Sequence, residues 1–581
     1  MERRVLIAVF LSFLVLYAYQ AYFVPAPPPA ATPPATAAQP AAGATASTPE
    51  PTAPTAAATP LPSTPEVTVI NGESVEREIT VETTTVQVVL SNRGGRVLHW
   101  RLKGYLDDKG QDVDLVPSGV PTDQPTPFSL GVEDQDTTRR LNDSLYKVVG
   151  VDGERIDATA ASAAVAFEFE DAGGLRVRKE FAFDPTGYVV KFSATVTSGD
   201  RALNPTVLWG PGLGDIGARS SGGSFFTGNY VQPPQAIFHR AGSTERVALG
   251  SLAEDGRPSG EFKFVGIDDH YFLASALAPG QTQAVFTSLT LNDPDNTQRQ
   301  LAAMTLRFAQ PPTGVRFFIG PKQFDTLQAV DPDMIRAINF GIFAWLVMPL
   351  LSALTWIHGY VGNYGWSIIL LTVLINLIIF PLRHKTVVSM RKMQALQPQL
   401  KAIQDRYAGL KVTDPARQKM NTEVMGLYKE RGVNPASGCV PMLLTMPVLF
   451  AFYSLLSQAI ELRGAPFAFW IRDLSLHDPY YVTPLLMGAS MFWQQKITPT
   501  TADPAQQRMM LFMPIVFTAM FLRFPSGLAI YYFTSNLWTI GQQYFTNWWI
   551  GPLNVQPARP PAERRLKNAG SGRTVDADRK N

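Results

Sequence analysis

From Phe340 onward, apolar stretches follow one another too closely for the interior of a water-soluble domain. They are Phe340–His358, Tyr364–Leu382, Val440–Ile460, Val482–Gln494, Met509–Phe524 and Leu528–Ile550. A helix of roughly 20 apolar residues crosses a hydrocarbon core about 30 Å thick, so this half of the chain reads as a helical membrane domain. A further uncharged run, Val5 to Val24, follows Glu2-Arg3-Arg4. It exceeds the roughly 7–15 apolar residues of a signal peptide, which makes it an uncleaved anchor. The mean hydropathy of +0.01 over 581 residues averages this membrane part with a polar one.

Charge orients the spans. Residues 5–382 carry 25 Lys/Arg against 36 Asp/Glu, residues 383–434 carry 11 against 4, and the tail from Asn554 carries 7 against 3. Basic segments stay on the cytoplasmic side. Six crossings place residues 383–434 and both termini there; seven would put 383–434 outside. The stretch Phe340–His358, with Trp345, Pro349, Trp356 and His358, is therefore taken to lie along the outer interface rather than to cross.

Between anchor and membrane domain the organisation changes twice. Residues 25–65 contain 13 Pro, 14 Ala and 8 Thr, a disordered, partly polyproline tether. Residues 66–318 read as an all-β sandwich of about 250 residues, with short strands broken by Gly, Pro, Asp and Asn. Leu175–Phe183, Asp184-Pro-Thr-Gly187 and Tyr188–Val196 make a hairpin. Residues 319–363 form a connector holding the interfacial helix, 364–550 the core of five spans, and 551–581 a basic tail. Within the core, residues 383–434 form a helical hairpin: Met393, Leu396, Leu400, Ile403 and Tyr407 repeat at helical spacing, as do Met420, Val424, Leu427 and Tyr428 after a break at Ala408-Gly409 and Asp414-Pro415. Its basic residues Arg391, Lys392, Lys401, Arg406, Lys429 and Arg431, beside Met393, serve topology or contact anionic lipid or ribosomal RNA. The tail Arg564-Arg565-Leu566-Lys567 carries the same two readings.

Several classes of chemistry are excluded. One cysteine and six scattered histidines leave no disulfide framework and no metal site, and a net charge of +2 excludes a bulk DNA binder. No Asp or Glu falls inside a proposed span, so a proton relay or paired-aspartate protease is absent. Gly488-Ala489-Ser490 resembles a serine-protease motif, but all six histidines fall outside the proposed spans, and Ser490 reads as a packing residue. No cofactor is implied, and the chain does not read as an enzyme.

What the spans carry instead is uncharged polarity: Thr372 and Asn376 on one helix, Tyr453 on the next, Gln494, and Tyr531, Tyr532 and Ser535 on the last. If these converge they line a wet cavity. Two spans, Val482–Gln494 and Met509–Phe524, are short for a bilayer and imply local thinning or a water-filled recess.

The strings Tyr364-Gly-Trp-Ser-Ile-Ile, Phe380-Pro-Leu, Met393-Gln-Ala-Leu-Gln-Pro398, Tyr428-Lys-Glu-Arg-Gly-Val-Asn-Pro435, Gly438-Cys-Val-Pro441, Asp478-Pro-Tyr-Tyr481 and Phe524-Pro-Ser-Gly-Leu528 resemble YidC-type insertases, as does the run Glu461 to Leu474. The resemblance covers about 335–545, and the anchor, tether and β domain follow the Gram-negative form of the family. It implies a β-supersandwich in the periplasm, and a hydrophilic groove open to the cytoplasm. The implied function is insertion and folding of nascent inner-membrane proteins, alone or with the Sec translocon, with a ribosome approached by hairpin and tail. It also implies a groove arginine at the position held here by Asn376; Arg523, the charged residue well inside a proposed span, either snorkels outward from a helix end or points into the groove as the substitute cation. The competing class is a small-solute transporter, which would need ionic coordination at mid-membrane.

Overall fold

The structure, a computed structural model, describes residues 68–107, 109–121, 124–151, 153–214, 232–292, 298–407, 416–432, 440–498 and 504–551. The proposed anchor, the tether and the basic tail lie outside the described residues.

Strict alternation builds the β domain. In Leu175–Phe183 the inward residues Leu175, Val177, Lys179, Phe181 and Phe183 are buried while Arg176 and Arg178 face solvent. This strand pairs antiparallel with Val189–Ser198, Phe183 opposite Val190, as the hairpin reading expects. The pairing continues through Val315–Pro321, Phe272–Asn292, Ser259–Asp268, Gln235–Arg240 and Ser243–Ala248, within a sheet of fourteen described strands. A second sheet runs Asp112–Asp114, Arg96–Leu106, Val86–Ser91, Glu78–Glu82 and Arg155–Asp157. The Thr- and Val-rich stretch Ile79–Leu90 is thus two strands, because Thr83 Oγ1 accepts from the amides of Thr85 and Val86 and turns the chain.

The two sheets face each other across aromatic packing. Trp100 of the small sheet packs on Phe183 at 6.2 Å between ring centroids and donates Nε1–H to the Ile319 carbonyl of the large one. Lys179 occupies an inward position where the pattern calls for an apolar side chain. Its Nζ donates to the carbonyls of Gly94 (2.5 Å), Gly95 (3.2 Å) and Phe128 (2.9 Å), and burial pulls its pKa down to about 7.

Two short helices accompany this domain, α1 (Gln135–Asp143) and α2 (Leu252–Asp255), and α3 (Phe324–Val330) follows its last strand. Then come α4 (Ala344–Val361), α5 (Tyr364–Ala395), α6 (Gln397–Arg406), α7 (Ala416–Glu430), α8 (Val440–Gln458), α9 (Val482–Ile497), α10 (Pro504–Phe521) and α11 (Ser526–Ile550).

Two boundaries differ from the sequence reading. Helix α5 does not stop at Leu382: it runs to Ala395, carrying Arg383, His384, Arg391, Lys392 and Met393 on the same rod. Hydropathy ends where charges begin, but nothing in Arg383-His-Lys-Thr interrupts helical hydrogen bonding. The interfacial stretch, with its preceding 3-10 turn, forms a helix over Gly341–Val361 that is long and apolar enough to cross a membrane. Among the described residues only this helix and Tyr364–Ala395 meet that length and composition; Met446–Gln458 and Met510–Phe521 are shorter apolar helices.

The β domain rests on the helices through buried polar contacts. Within the β domain, Lys322 Nζ donates to Asp268 Oδ2 at 3.0 Å with both side chains buried, and from there contacts reach the helices. The His270 Nδ1 faces the Gln232 amide and accepts, so Nε2 carries the hydrogen and donates to the Ser457 carbonyl of α8 at 2.7 Å. Glu461 accepts from the Phe324 amide, and Arg463 donates to the Leu106 carbonyl while lying over the rings of Tyr271 and Phe272.

Candidate functional site

The described helices pack unevenly. Helix α11 lies against α5 and α9, α9 against α10, and α8 against α4, α5 and α11. Between them remains a cavity of about 680 Å³. Helix α5 lines it with Ile375, Asn376, Ile379 and Arg383, and α11 with Tyr531, Tyr532, Ser535, Asn536 and Thr539. The spacings 376, 379, 383 and 532, 535, 536, 539 each describe one helix face. Helix α9 adds Met491, Gln494, Gln495 and Lys496, α8 adds Met446, Val448 and Leu449, and α10 adds Met510 and Leu511.

The charges in this lining are both positive, Arg383 and Lys496, and no carboxylate is among the lining residues. Arg383 Nη1 donates to Asn376 Oδ1 at 3.0 Å and to Thr539 Oγ1 at 2.8 Å. Its Cα lies nineteen residues past Tyr364, about 29 Å along the helix at 1.5 Å per residue. Side chains on a helix lean toward its N-terminus. The guanidinium therefore reaches back about two turns into the cavity from a Cα twelve residues before α5 ends at Ala395. Asn376 itself donates Nδ2–H to the Thr372 carbonyl, leaving its amide oxygen for the arginine. Asn376 is thus a seat for a cation, not merely a position lacking one.

Of the eight expected groove residues, Asn376, Gln494, Tyr531, Tyr532 and Ser535 line this cavity. Thr372 is fully buried behind the wall, its hydroxyl donating to the Ile368 carbonyl. Tyr453 packs on the Phe524 ring and is not among the lining residues. Arg523 is exposed between α10 and α11, beside residues tied to the β-domain end, and does not line the cavity. The thirteen residues from Ser526 to Thr539 set it about 20 Å from Arg383's partner along α11. Arg383, which the sequence reading assigns to the hairpin, is the arginine that lines this cavity.

Ser490 accepts from Asn536 Nδ2 at 3.1 Å and donates to the Met487 carbonyl, so it packs α9 against α11. His384 lies on α5, inside the longer helix, with its ring against Thr546 and Phe380. In the hairpin, Arg406 Nη2 bonds Glu423 Oε2 at 2.7 Å and Tyr407 donates to the same carboxylate, holding α6 to α7. Met393 and Leu396 are buried against Tyr428. Arg391 turns back to the Gly551 carbonyl at the end of α11, whereas Lys392, Lys401, Lys429 and Arg431 are on exposed positions.

Residues 356–551 match the family described as 60Kd inner membrane protein, and residues 78–353 match the YidC periplasmic domain. The membrane protein insertase YidC of Geobacter sulfurreducens is 37% identical over 565 residues, covering 94% of this chain and 98% of that protein. The chain belongs to the YidC family of membrane protein insertases. The YidC of Geobacter metallireducens is 35% identical over 562 residues, again covering 94% of this chain and 98% of its own length. A solved structure titled "Active YidC insertase crystal structure with the first transmembrane domain resolved" aligns over 83% of this chain and 94% of that chain, with 19% identity and a TM-score of 0.33.

Proposed function

We propose that the chain inserts nascent inner-membrane proteins by letting the polar flank of a substrate occupy the cavity while its apolar helix slides along the lipid-facing helices. The observation that carries this reading is a cavity with two cations, nine uncharged polar residues and no carboxylate, beside the middle of α5. An arginine and a lysine without an acidic partner attract an acidic or carboxyl-terminal flank, and cavity water offsets their desolvation. Passage of the substrate's apolar helix into lipid supplies the driving force, about 0.8 kcal/mol per buried methylene.

In this reading the β domain, a supersandwich, lies in the periplasm. Six crossings, including the Val5–Val24 anchor, put both termini and the hairpin in the cytoplasm. The Gly341–Val361 helix lies along the outer interface. The bounds 1–24, 25–65, 66–318, 319–363, 364–550 and 551–581 describe the parts, with α5 carried through into the hairpin. The exposed lysines of α6 and α7 and the basic tail meet the ribosome, and the chain works alone or beside the Sec translocon. The lining holds no carboxylate to coordinate a cation or relay a proton, which argues against a cation-coupled small-solute transporter.

The test is a photo-crosslinker at Ser535 in cells translating a single-span membrane protein with an acidic flank. Adducts with the nascent chain are expected at Ser535 and not at Ala202 of the β domain. Absence of any Ser535 adduct, with substrate captured elsewhere on the chain, would refute the cavity as the path.

A further inference from the structure

The connection between α8 and α9 is a built platform rather than a loose loop. Asp478 is buried and accepts four hydrogen bonds, from Trp470 Nε1 (2.8 Å), the Tyr480 amide (3.0 Å), the Thr483 amide (2.8 Å) and the Thr483 hydroxyl (2.9 Å). Asn363, which caps α5, donates to the carbonyls of Pro466 and Phe467. The amides of Ser526 and Gly527, at the start of α11, donate to the carbonyls of Leu476 and Leu474. Helices α5, α9 and α11 therefore all begin at this one platform. Arg463, over Tyr271 and Phe272, ties it to the β domain.

So fixed, the platform still turns its largest apolar groups outward. Phe469 is 94% exposed, Tyr480 68% and Leu476 59%. Phe469 and Tyr481 hold backbone φ of +56° and +58°, a left-handed conformation that bulky L-residues avoid. A short helix-side turn keeps Phe469 there, since the Phe467 amide bonds the Ile471 carbonyl and the Ile471 amide bonds the Ala468 carbonyl.

What covers these rings follows from their neighbours. Trp366 on the first turn of α5 packs edge-on against Phe467, is 52% exposed, and leads down α5 to the exposed Leu370, Leu374, Leu377 and Ile378. On the other side Tyr481 leads into α9 with exposed Leu485 and Leu486. The rings thus cap two apolar helix faces at their common end, the level at which Trp and Tyr collect at membrane interfaces. Helix α9, sixteen residues, is only about 24 Å long, short of a bilayer core of about 30 Å. The headgroup layer beside it must dip toward the cavity.

We propose that the Phe469–Tyr481 platform is a lipid-contacting wedge: the Phe469, Tyr480 and Tyr481 rings insert into the bilayer leaflet on the β-domain side, next to the short helix α9. The occupant is the bilayer itself, at the boundary between headgroups and acyl chains. The rings hold that boundary low where α9 is short, which shortens the apolar path above the cavity. The wedge rests on the reading that α5 and α9 cross the bilayer, and the test reports on the two separately.

The full chain carrying Cys439→Ser is placed in phosphatidylethanolamine/phosphatidylglycerol nanodiscs with a single nitroxide at Phe469→Cys, Ile378→Cys or Ala202→Cys. Collision of each label with oxygen and with a water-soluble nickel chelate is compared. The label at 469 is expected to prefer oxygen several-fold over the label at 202, and to lie shallower than the label at 378. A label at 378 that reads as lipid-exposed while 469 reads as aqueous overturns the wedge alone. An aqueous 378 overturns the membrane reading and the wedge with it. Should the cysteine variant fail to fold, a benzoylphenylalanine at 469 replaces it: a lipid adduct upholds the wedge, and an adduct to a protein partner overturns it.

Discussion

Arg383 and Asn376 sit two helical turns apart on one face of α5 and are joined by a 3.0 Å hydrogen bond from Nη1 to Oδ1. The pairing moves the cation's point of attachment toward the end of the helix while leaving its charge near the level of Asn376. Thr539 on α11 holds the same guanidinium nitrogen, so the charge is also a clasp between the two helices. Replacing Thr539 by Val removes an acceptor and keeps the shape; a hydrogen bond to a charged group contributes about 1.5–3 kcal/mol. Thr539→Val is expected to lower the thermal midpoint of the purified protein, and much less so when Arg383→Met is already present, which a double-mutant cycle measures.

Gly488 fixes the approach of α9 to α10. A Cβ built there would lie 1.9 Å from Thr518 Oγ1, and that hydroxyl is committed to the Pro514 carbonyl. Gly488→Ala therefore overpacks the contact and should cost about 1–3 kcal/mol. Thr518→Ala in the same chain should recover most of the loss. Denaturation midpoints of the four proteins decide it, and equal losses in single and double variants would contradict the contact.

Lys179 gives the β domain a pH dependence with a definite sign. Its pKa falls from the model-peptide range to about 7 in the folded domain because burial disfavours its charge. Between about pH 7 and pH 10 the unfolded chain holds a proton that the folded one lacks, so stability rises with pH by up to about 1.4 kcal/mol per unit. Below pH 7 both states are protonated and the gain is absent. The difference in melting temperature between the native protein and Lys179→Met should therefore widen in favour of the native lysine from pH 7 to pH 10. A difference that stays constant over that range would rule out a neutral Lys179.

Asp478 organises the platform before α9. Burial would raise its carboxyl, but donors from Thr483, Tyr480 and Trp470 outweigh this and hold it below the usual carboxylate range. Its contribution is complete above the ordinary carboxylate pKa and is lost as pH falls through the lower folded value. At neutral pH Asp478→Ala leaves four donors short of an acceptor and should cost roughly 2–4 kcal/mol. Trp470 fluorescence should shift toward that of a hydrated indole; an unchanged spectrum would show that Trp470 is held by other contacts.

Much of this was legible in the sequence for physical reasons. Alternation in Leu175–Phe183 and the Asp184-Pro-Thr-Gly187 turn are local signals, and the strands formed where they pointed. The polar residues Asn376, Gln494, Tyr531, Tyr532 and Ser535 stand out against apolar spans, and they converge. Arg383 was missed because a hydropathy boundary was taken as a helix boundary. The i, i+7 relation to Asn376 was there to be read once α5 is continued past Pro381. Arg523 lies inside an apolar run and leaves two readings open, outward snorkelling or a place in the groove; the run ends in a turn after α10 where the side chain is exposed, which fits the outward one. Lys179 sat in plain alternation with its apolar neighbours. Only the fold supplies the three carbonyls that satisfy it, and two of them come from Gly94 and Gly95 more than eighty residues away.

The most direct measurement is insertion of a single-span substrate with an acidic flank into proteoliposomes containing the native chain, Arg383→Ala, Arg383→Lys, or Arg383→Asn combined with Asn376→Arg. Loss of a charge-assisted interaction of about 1.5–3 kcal/mol corresponds to roughly a ten- to hundredfold change. Arg383→Ala should lose about that much, Arg383→Lys should keep most of the activity, and the exchanged pair should restore it, while a substrate with a neutral flank is affected little. Native-level insertion of the acidic substrate by Arg383→Ala would contradict the account.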